Sequence, residues 1–276
     1  MALIPLKDYT KLKDISFQYV TASIIVICTS VFLGQLSLGE QEFKLAFGLG
    51  TIPSVLAGSK NLHPDLVIIP AWATTLTSMF LHGGWMHLVF NMLFLWVFGD
   101  NIEDSMGHVR FIIFYLLCGV IATLVHVVMS VGSEVPLIGA SGAISGVLGA
   151  YLVLHPKARL LVFFMHIVPL RLPAIVVLLG WIGFQFLNLG SESNTAWWAH
   201  IGGFFAGMVL IAPFRRRGVP LLDGLQADQQ PDTNVIKLQE RRHSRSIFPN
   251  TSQVPPADLP NTPPTQPFQP RGPWVK

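Results

Sequence analysis

Long apolar runs that lack Asp, Glu, Lys and Arg alternate along this chain with short polar connections. A helix that crosses the hydrocarbon core of a bilayer needs about 20 apolar residues. Six runs are of that order, at residues 15–39, 67–99, 111–133, 135–156, 172–191 and 193–214. The pattern therefore predicts an all-α membrane protein with a bundle of six transmembrane helices.

The second run is too long for a single helix. Pro70 and the pair Gly83-Gly84 interrupt it, and both residue types weaken a helix interior. We therefore expect the second span to begin near Trp85, after a stretch that packs at or in the membrane interface.

Residues 160–170 form a shorter apolar stretch between the fourth and fifth runs. With His166 and Pro169 inside it, this stretch is too short to cross a bilayer. We predict that it lies at the interface and leads into the fifth span; a shifted register for that span is the alternative.

The distribution of Lys and Arg predicts the orientation of the spans. Basic residues cluster before the first run, in the second and fourth connections and after the sixth run, at Lys7, Lys11, Lys13, Arg110, Lys157, Arg159, Arg171 and 215–217. Because basic residues favour the cytoplasmic side, we predict that both termini are cytoplasmic. The first connection, 38–73, is predicted to be external despite Lys44 and Lys60, since long loops follow this rule weakly.

Composition supports a membrane class and divides the chain into three regions. Only 12% of the residues are charged, against about 25% in soluble domains. Residues 1–14 are predicted to be a cytoplasmic segment rather than a cleaved signal peptide, and 15–217 to be the membrane domain. Residues 218–276 hold eleven of the twenty prolines and are predicted to form a disordered cytoplasmic tail. Cys28 and Cys118 lie within apolar runs and suggest no disulfide framework.

Ser141 lies in a glycine-rich cluster at the predicted outer start of the fourth span. The start of a helix leaves backbone N–H groups without acceptors, and these groups suit a site where an oxyanion develops. Glycines at positions 142 and 146 have the spacing of helix-packing residues in membranes. Helix packing alone is therefore one interpretation of Gly142 and Gly146. The other is catalytic: with Gly139 and Gly142 as accessory positions, backbone and substrate can approach Ser141 closely, and Ser141 is a candidate nucleophile.

His200 lies in the sixth span, followed by Gly203 and Gly207 at the same small-residue spacing. Two helices with such faces can approach closely enough to bring Ser141 and His200 within hydrogen-bonding distance. A neutral histidine can then accept the serine proton and return it to a leaving amine. Neither span contains Asp or Glu, so the residues support a Ser-His dyad.

His87 and Asn91 are four residues apart near the start of the second span, so they lie on one helix face. Their side chains could donate to an oxyanion beside the Ser141 N–H, or could simply bond neighbouring helices. His82, His87 and His200 could also supply three zinc ligands, but HExxH is absent and no carboxylate is near to act as base. We therefore predict no metal and no cofactor.

Together these clusters resemble the rhomboid family of intramembrane serine proteases. The resemblance covers roughly residues 15–214 and depends on motifs in the second, fourth and sixth spans: His82-x4-His87-x3-Asn91, Gly139-x-Ser141-Gly142 and His200-x-Gly202-Gly203-x3-Gly207. The stretch Glu103-Asp104-x2-Gly107-x2-Arg110-Phe111 also matches the family.

The resemblance implies a serine endopeptidase that cuts transmembrane proteins. Ser141 would be the nucleophile and His200 the base, while His87, Asn91 and the Ser141 amide would form the oxyanion hole, with His82 as an accessory position. The implied partners are single-span membrane proteins and lipid, with no nucleic acid. The expected location is the cytoplasmic membrane of a bacterium.

Two departures from the family pattern are visible. Many relatives carry an aromatic residue four positions after the nucleophile, where this chain has Ser145, so the orientation of His200 must come from elsewhere. The first external loop also lacks the Trp-Arg pair of some bacterial relatives.

Two other classes of protein compete with an active protease. A catalytically inactive rhomboid-like protein would act in membrane binding or quality control, but it would lose the serine or the histidine, and both are present. A transporter or channel would more often show paired charges at midplane and repeat symmetry, which the sequence lacks.

Overall fold

The computed structural model describes residues 3–164, 168–191 and 195–222, and this part of the chain is mostly helical. Its three strands are β1 (Leu3–Asp8), β2 (Arg159–Phe164) and β3 (Val168–Pro173). Its α-helices are α1 (Tyr19–Ser37), α2 (Glu42–Leu49), α3 (Pro53–Leu56), α4 (Thr74–Thr77), α5 (Trp85–Met106), α6 (His108–Met129), α7 (Ser141–Leu154), α8 (Ala174–Leu187) and α9 (Trp197–Phe214). Short 3₁₀ turns occupy Gly39–Gln41, Pro64–Leu66, Ala71–Ala73 and Ser78–Phe80. The predicted tail from residue 223 onward lies outside the described residues, as does His166.

The chain is an integral membrane protein by the length and apolarity of its helices. Within the described residues, α1, α6 and α9 are each long and apolar enough to cross a bilayer. A bent pair, Pro64–Phe80 with α5, makes a fourth candidate, with an angle of 79° at the break. Helices α7 and α8 coincide with the fourth and fifth predicted runs but have only 14 residues each, so the count of six spans stays a prediction.

The start of α5 at Trp85 is confirmed, directly after Gly84, whose φ is +154°. The helix continues beyond Gly99 to Met106 and includes three acidic residues that ended the apolar run. Helix α7 begins at Ser141, six residues after the predicted run does. The preceding segment is irregular because Leu137 pairs with Thr51 in an isolated bridge.

The prediction of an all-α fold is wrong in one respect, because the described residues include a three-stranded antiparallel sheet. The strand order is β1-β2-β3. Strands β2 and β3 form the stretch that was expected to lie at the interface, and β1 comes from the N-terminal segment. On β2, Leu160 and Val162 are both fully buried, which is the alternation of a strand with one face on the core.

The carboxylates near the end of α5 hold the chain that leads into α1. Glu103, which is fully buried, accepts hydrogen bonds from the backbone N–H groups of Val20 and Thr21 at 2.9 and 2.8 Å. Asp104 accepts three more, from residues 13–15. A carboxylate at a helix N-terminus satisfies donors that have no acceptor within the helix. The Glu103-Asp104 motif is therefore structural in the described chain.

Helices α7 and α9 cross in close contact through their glycines. A methyl group added at Gly203 would overlap the backbone oxygen of Gly142, and one added at Gly207 would overlap that of Gly146. Such contacts let two backbones approach to a distance that any side chain would prevent. This packing brings the start of α7 beside the first turns of α9.

Candidate active site

Ser141 is the first residue of α7, and its side chain points towards α9. The Ser141 Oγ lies 2.8 Å from the Nε2 atom of His200. The backbone N–H of Ser141 is at the helix start, where no acceptor four residues earlier belongs to the helix. The structure thus brings together a hydroxyl, an imidazole and a free backbone donor.

His200 lies in the first turn of α9 and is bordered by two tryptophans. The ring centroid of Trp181, from α8, is 5.8 Å from that of His200, and the centroid of Trp197 is 6.2 Å away. These rings confine the imidazole between α8 and the start of α9. This chain has serine at position 145, and the ring contacts with His200 come from Trp181 and Trp197.

A third polar group contacts His200, and sequence reasoning missed it. The Oε1 atom of Gln185, on α8, lies 2.8 Å from the Nδ1 atom of His200. Gln185 is 2% exposed. A polar side chain inside an apolar run is a signal of function in membranes, but only the packing of α8 against α9 reveals which atom it contacts.

Ser145 packs one turn below the candidate nucleophile. Its hydroxyl donates to the backbone oxygen of Ser141 at 2.6 Å, as a serine often does within a helix. Among the described residues, the groups that contact the His200 ring are Ser141, Gln185 and Trp181, the last two from α8, and Trp197.

His87 and Asn91 face the same space from α5. The Nδ1 atom of His87 accepts a hydrogen bond from the backbone N–H of Gly83 at 3.4 Å, so its proton is on Nε2, which can donate. Gly139 has φ +120°, and a methyl group there would lie 2.6 Å from His87 Nε2. Glycine at 139 therefore both permits the turn into α7 and leaves room for the imidazole.

His82 lies behind His87 rather than in the site. It is fully buried, and its ring packs edge-on against the ring of His87 at 5.3 Å. Its backbone is held by the side chain of Gln35, which accepts from the His82 N–H at 3.1 Å. In the described part of the chain, no three His, Cys, Asp or Glu side chains are grouped as metal ligands, and this includes the trio His82, His87 and His200.

These groups line one cavity of about 760 Å³. Its wall includes the side chains of Ser141, His200, His87 and Asn91, together with Trp181. Asn91 is 6% exposed, and its amide donates to the His87 backbone oxygen at 2.8 Å, which leaves its second N–H available. An extended segment of polypeptide would find a nucleophile, a base and several donors in the same space.

Known proteins of one family are similar to this chain. A family model described as "Rhomboid domain" matches residues 70–217, more than half of the chain. The rhomboid protease GluP of Bacillus subtilis is 34% identical over 54% of this chain and 28% of its own length. RHOMBOID-like protein 7 of Arabidopsis thaliana is 33% identical over 66% of this chain and 55% of its own.

A mitochondrial protein is also similar to this chain. The human presenilin-associated rhomboid-like protein is 32% identical over 48% of this chain and 35% of its own length. The chain therefore spans less than two thirds of the length of each of these relatives.

Proposed function

The chain belongs to the rhomboid family, and we propose that it is an intramembrane serine endopeptidase. It hydrolyses peptide bonds of transmembrane proteins with Ser141 as nucleophile and His200 as general base. The observation that carries this proposal is the 2.8 Å contact between Ser141 Oγ and His200 Nε2 in the wall of a cavity. A base must be within about 2.6–3.2 Å of the proton that it removes.

The reaction has two stages. In the first, Ser141 Oγ attacks the scissile carbonyl carbon while its proton moves to His200 Nε2, and that proton then passes to the leaving amine, so that an acyl-enzyme remains. In the second, a water molecule attacks the ester carbon and gives a proton to His200, which passes it to the departing Ser141 Oγ, so that the acid product and the neutral Ser141-His200 pair are formed. The residues present supply the nucleophile and the base for both stages.

The oxyanion of each tetrahedral intermediate is stabilised by three donors. These are the backbone N–H of Ser141, His87 Nε2–H and the side-chain amide of Asn91. Support comes from the His87 tautomer, whose Nδ1 accepts from Gly83, and from the position of Asn91 in the same wall. Donors fixed in a site that excludes bulk water contribute most when charge develops.

The proposed topology is a domain of six spans at residues 15–217, with both termini cytoplasmic. Helices α1, α5, α6, α7, α8 and α9 supply the spans, with α7 and α8 as short ones. A cytoplasmic segment, 1–14, precedes this domain, and a tail, 218–276, follows it. The Lys and Arg distribution supports this orientation.

The proposed substrates are single-span proteins surrounded by lipid. A peptide bond within an intact helix is shielded by its own hydrogen bonds, so a substrate must unwind locally to enter the cavity. The similarity to GluP of Bacillus subtilis supports a bacterial cytoplasmic membrane as the location.

The test is cleavage of a single-span reporter by the full chain purified in detergent. We expect wild type to cut the reporter, and Ser141→Ala and His200→Ala to lose cleavage while both variants stay folded with unchanged helical content. Equal cleavage by wild type and Ser141→Ala would contradict the proposal. A folded wild type that retains the reporter without cutting it would favour the inactive rhomboid-like alternative.

A further inference from the structure

We propose that Gln185 is a positioning residue that fixes the tautomer and the ring orientation of His200. The inference deepens the proposed function and rests on it, because it concerns the base of that same site. It would extend the Ser-His pair to three residues, with a neutral amide rather than a carboxylate as the third.

The orientation of the Gln185 amide follows from its two contacts. Its Nε2 atom donates to the backbone oxygen of Trp181 at 3.0 Å. That carbonyl is an acceptor only, so the amide nitrogen must face it and Oε1 must face His200. The amide therefore presents an acceptor to the Nδ1 atom of His200 at 2.8 Å.

An acceptor at Nδ1 determines which nitrogen of His200 carries the proton. A neutral imidazole has one N–H and one lone pair, so a proton held on Nδ1 leaves the lone pair on Nε2. That lone pair is 2.8 Å from Ser141 Oγ, where a general base needs it. When Nε2 accepts the serine proton, the Nδ1–H bond to Gln185 persists and its carbonyl dipole stabilises the imidazolium.

The neighbouring aromatic rings cannot determine the tautomer of His200. Trp181 and Trp197 restrict the plane of the imidazole by contact, but contact with a ring face hardly distinguishes one tautomer from the other. Gln185 is 2% exposed, so water has little access to replace its carbonyl. Loss of the amide would leave a buried imidazole N–H without a partner, which is costly.

The test uses Gln185→Met and a matched control at Asn188, the residue that directly follows α8. Methionine has the length of glutamine and cannot accept the Nδ1–H bond with comparable strength. Asn188→Leu is the control, because Asn188 makes the same kind of bond, from its amide to the backbone oxygen of Phe184 four residues earlier at 2.8 Å. It removes a side-chain bond to the helix without removing the bond to His200.

The first readout is independent of cleavage. In ¹⁵N-histidine NMR of the full chain in micelles, the His200 signal is identified by its absence from His200→Ala. We expect an Nδ1–H tautomer in wild type, Ser141→Ala and Asn188→Leu, and its loss in Gln185→Met. An Nε2–H tautomer in wild type, or an unchanged signal in Gln185→Met, would overturn the inference.

The second readout is the rate of reporter cleavage. We expect Gln185→Met to lower kcat about 100-fold, the low end of what a positioned base contributes, with little change in KM. Gln185→Glu should recover most of the loss, since a carboxyl oxygen accepts from Nδ1 in either protonation state. Equal kcat for Gln185→Met and Asn188→Leu would also overturn the inference.

The two proposals fail separately. If wild type does not cleave the reporter but the tautomer still depends on Gln185, the proposed protease function is wrong and the positioning role stands. If cleavage depends on Ser141 and His200 but the His200 tautomer is unchanged in Gln185→Met, the protease function stands and the positioning role of Gln185 is wrong.

Discussion

At the Ser141 end of helix α7, polar side chains line an open cavity. At the Tyr151 end, the polar side chains form hydrogen bonds with one another and with the backbone. Three groups around Ser141 have no hydrogen-bond partner among the described residues. They are the Ser141 N–H, the second N–H of Asn91 and the Nδ1 atom of His126, a residue that lines the cavity. These groups keep hydrogen-bonding capacity that the described part of the chain does not use.

Around Tyr151 the opposite holds. The Tyr151 hydroxyl donates to Asp8 Oδ2 at 2.7 Å, and Asn101 Nδ2 donates to the same oxygen at 2.6 Å. The other oxygen of Asp8 accepts from the Thr10 N–H at 2.8 Å. The difference teaches that one short helix can serve as scaffold at one end and as reactive site at the other, according to whether its polar neighbours are already satisfied.

Histidines give the largest contrast between the two ends. We expect His200→Ala to lower kcat/KM on the order of 10⁴-fold or more, because the base is lost, while the variant stays folded. His108→Ala removes a contact to Glu103 at the other end and should lower the unfolding temperature slightly with normal cleavage. Similar cleavage rates for the two variants would break the comparison.

Glycines test the close crossing of α7 and α9 near Ser141. Gly203→Ala places a methyl group against the Gly142 backbone oxygen, so α7 and α9 must separate. We expect a loss of about 1–3 kcal/mol in stability and about 100-fold in kcat from the displaced dyad. Gly180→Ala, on α8, meets nothing within 4 Å and should be neutral or stabilising in denaturant unfolding. A stable, active Gly203→Ala would disprove the close crossing.

Substitutions of two asparagines of α5 should affect different quantities, the rate of cleavage in one case and the free energy of unfolding in the other. Asn91→Ala removes a cavity donor and should lower kcat about 100-fold, with unfolding little changed. Asn101→Ala removes a bond to the Asp8 carboxylate and should cost about 1.5–3 kcal/mol in stability, with normal kcat. Both are measured by reporter cleavage and by denaturant unfolding, and an exchange of the two phenotypes would reverse the assignment of the ends.

Tyrosines give the smallest effect. Tyr151→Phe should cost about 1.5 kcal/mol, the low end for a hydrogen bond to a carboxylate, by loss of its bond to Asp8, with cleavage unaffected. The matched control is Tyr115→Phe, since the Tyr115 hydroxyl is buried without a partner among the described residues, and its removal should be neutral or stabilising. If Tyr115→Phe were the more damaging change in thermal unfolding, the hydrogen-bond account of the Tyr151 end would be wrong.

The helices were largely predictable because apolar runs and glycine breaks are local signals. The start of α5 at Trp85 followed from Pro70 and the pair Gly83-Gly84. Its end did not, because Glu103 and Asp104 look like the edge of a span until their backbone partners in the N-terminal segment are known. The sheet was not predicted for the same reason. Ile4 pairs with Phe163, a residue far away along the sequence, and no local pattern indicates such a pairing.

The site followed a similar division. Ser141, His200, His87 and Asn91 could be chosen from residue type and spacing. Gln185 could not be assigned a role, because its contact with His200 depends on how α8 turns relative to α9, which no spacing within either run specifies.

The most direct test of the central claim is the site of reaction with a serine-reactive fluorophosphonate probe, mapped by mass spectrometry on the purified full chain. An ordinary serine hydroxyl is a weak nucleophile unless a base activates it. The account predicts labelling of wild type at Ser141, none in Ser141→Ala, and labelling at least about 100-fold slower in His200→Ala. Equal labelling of wild type and Ser141→Ala, or of wild type and His200→Ala, would contradict it.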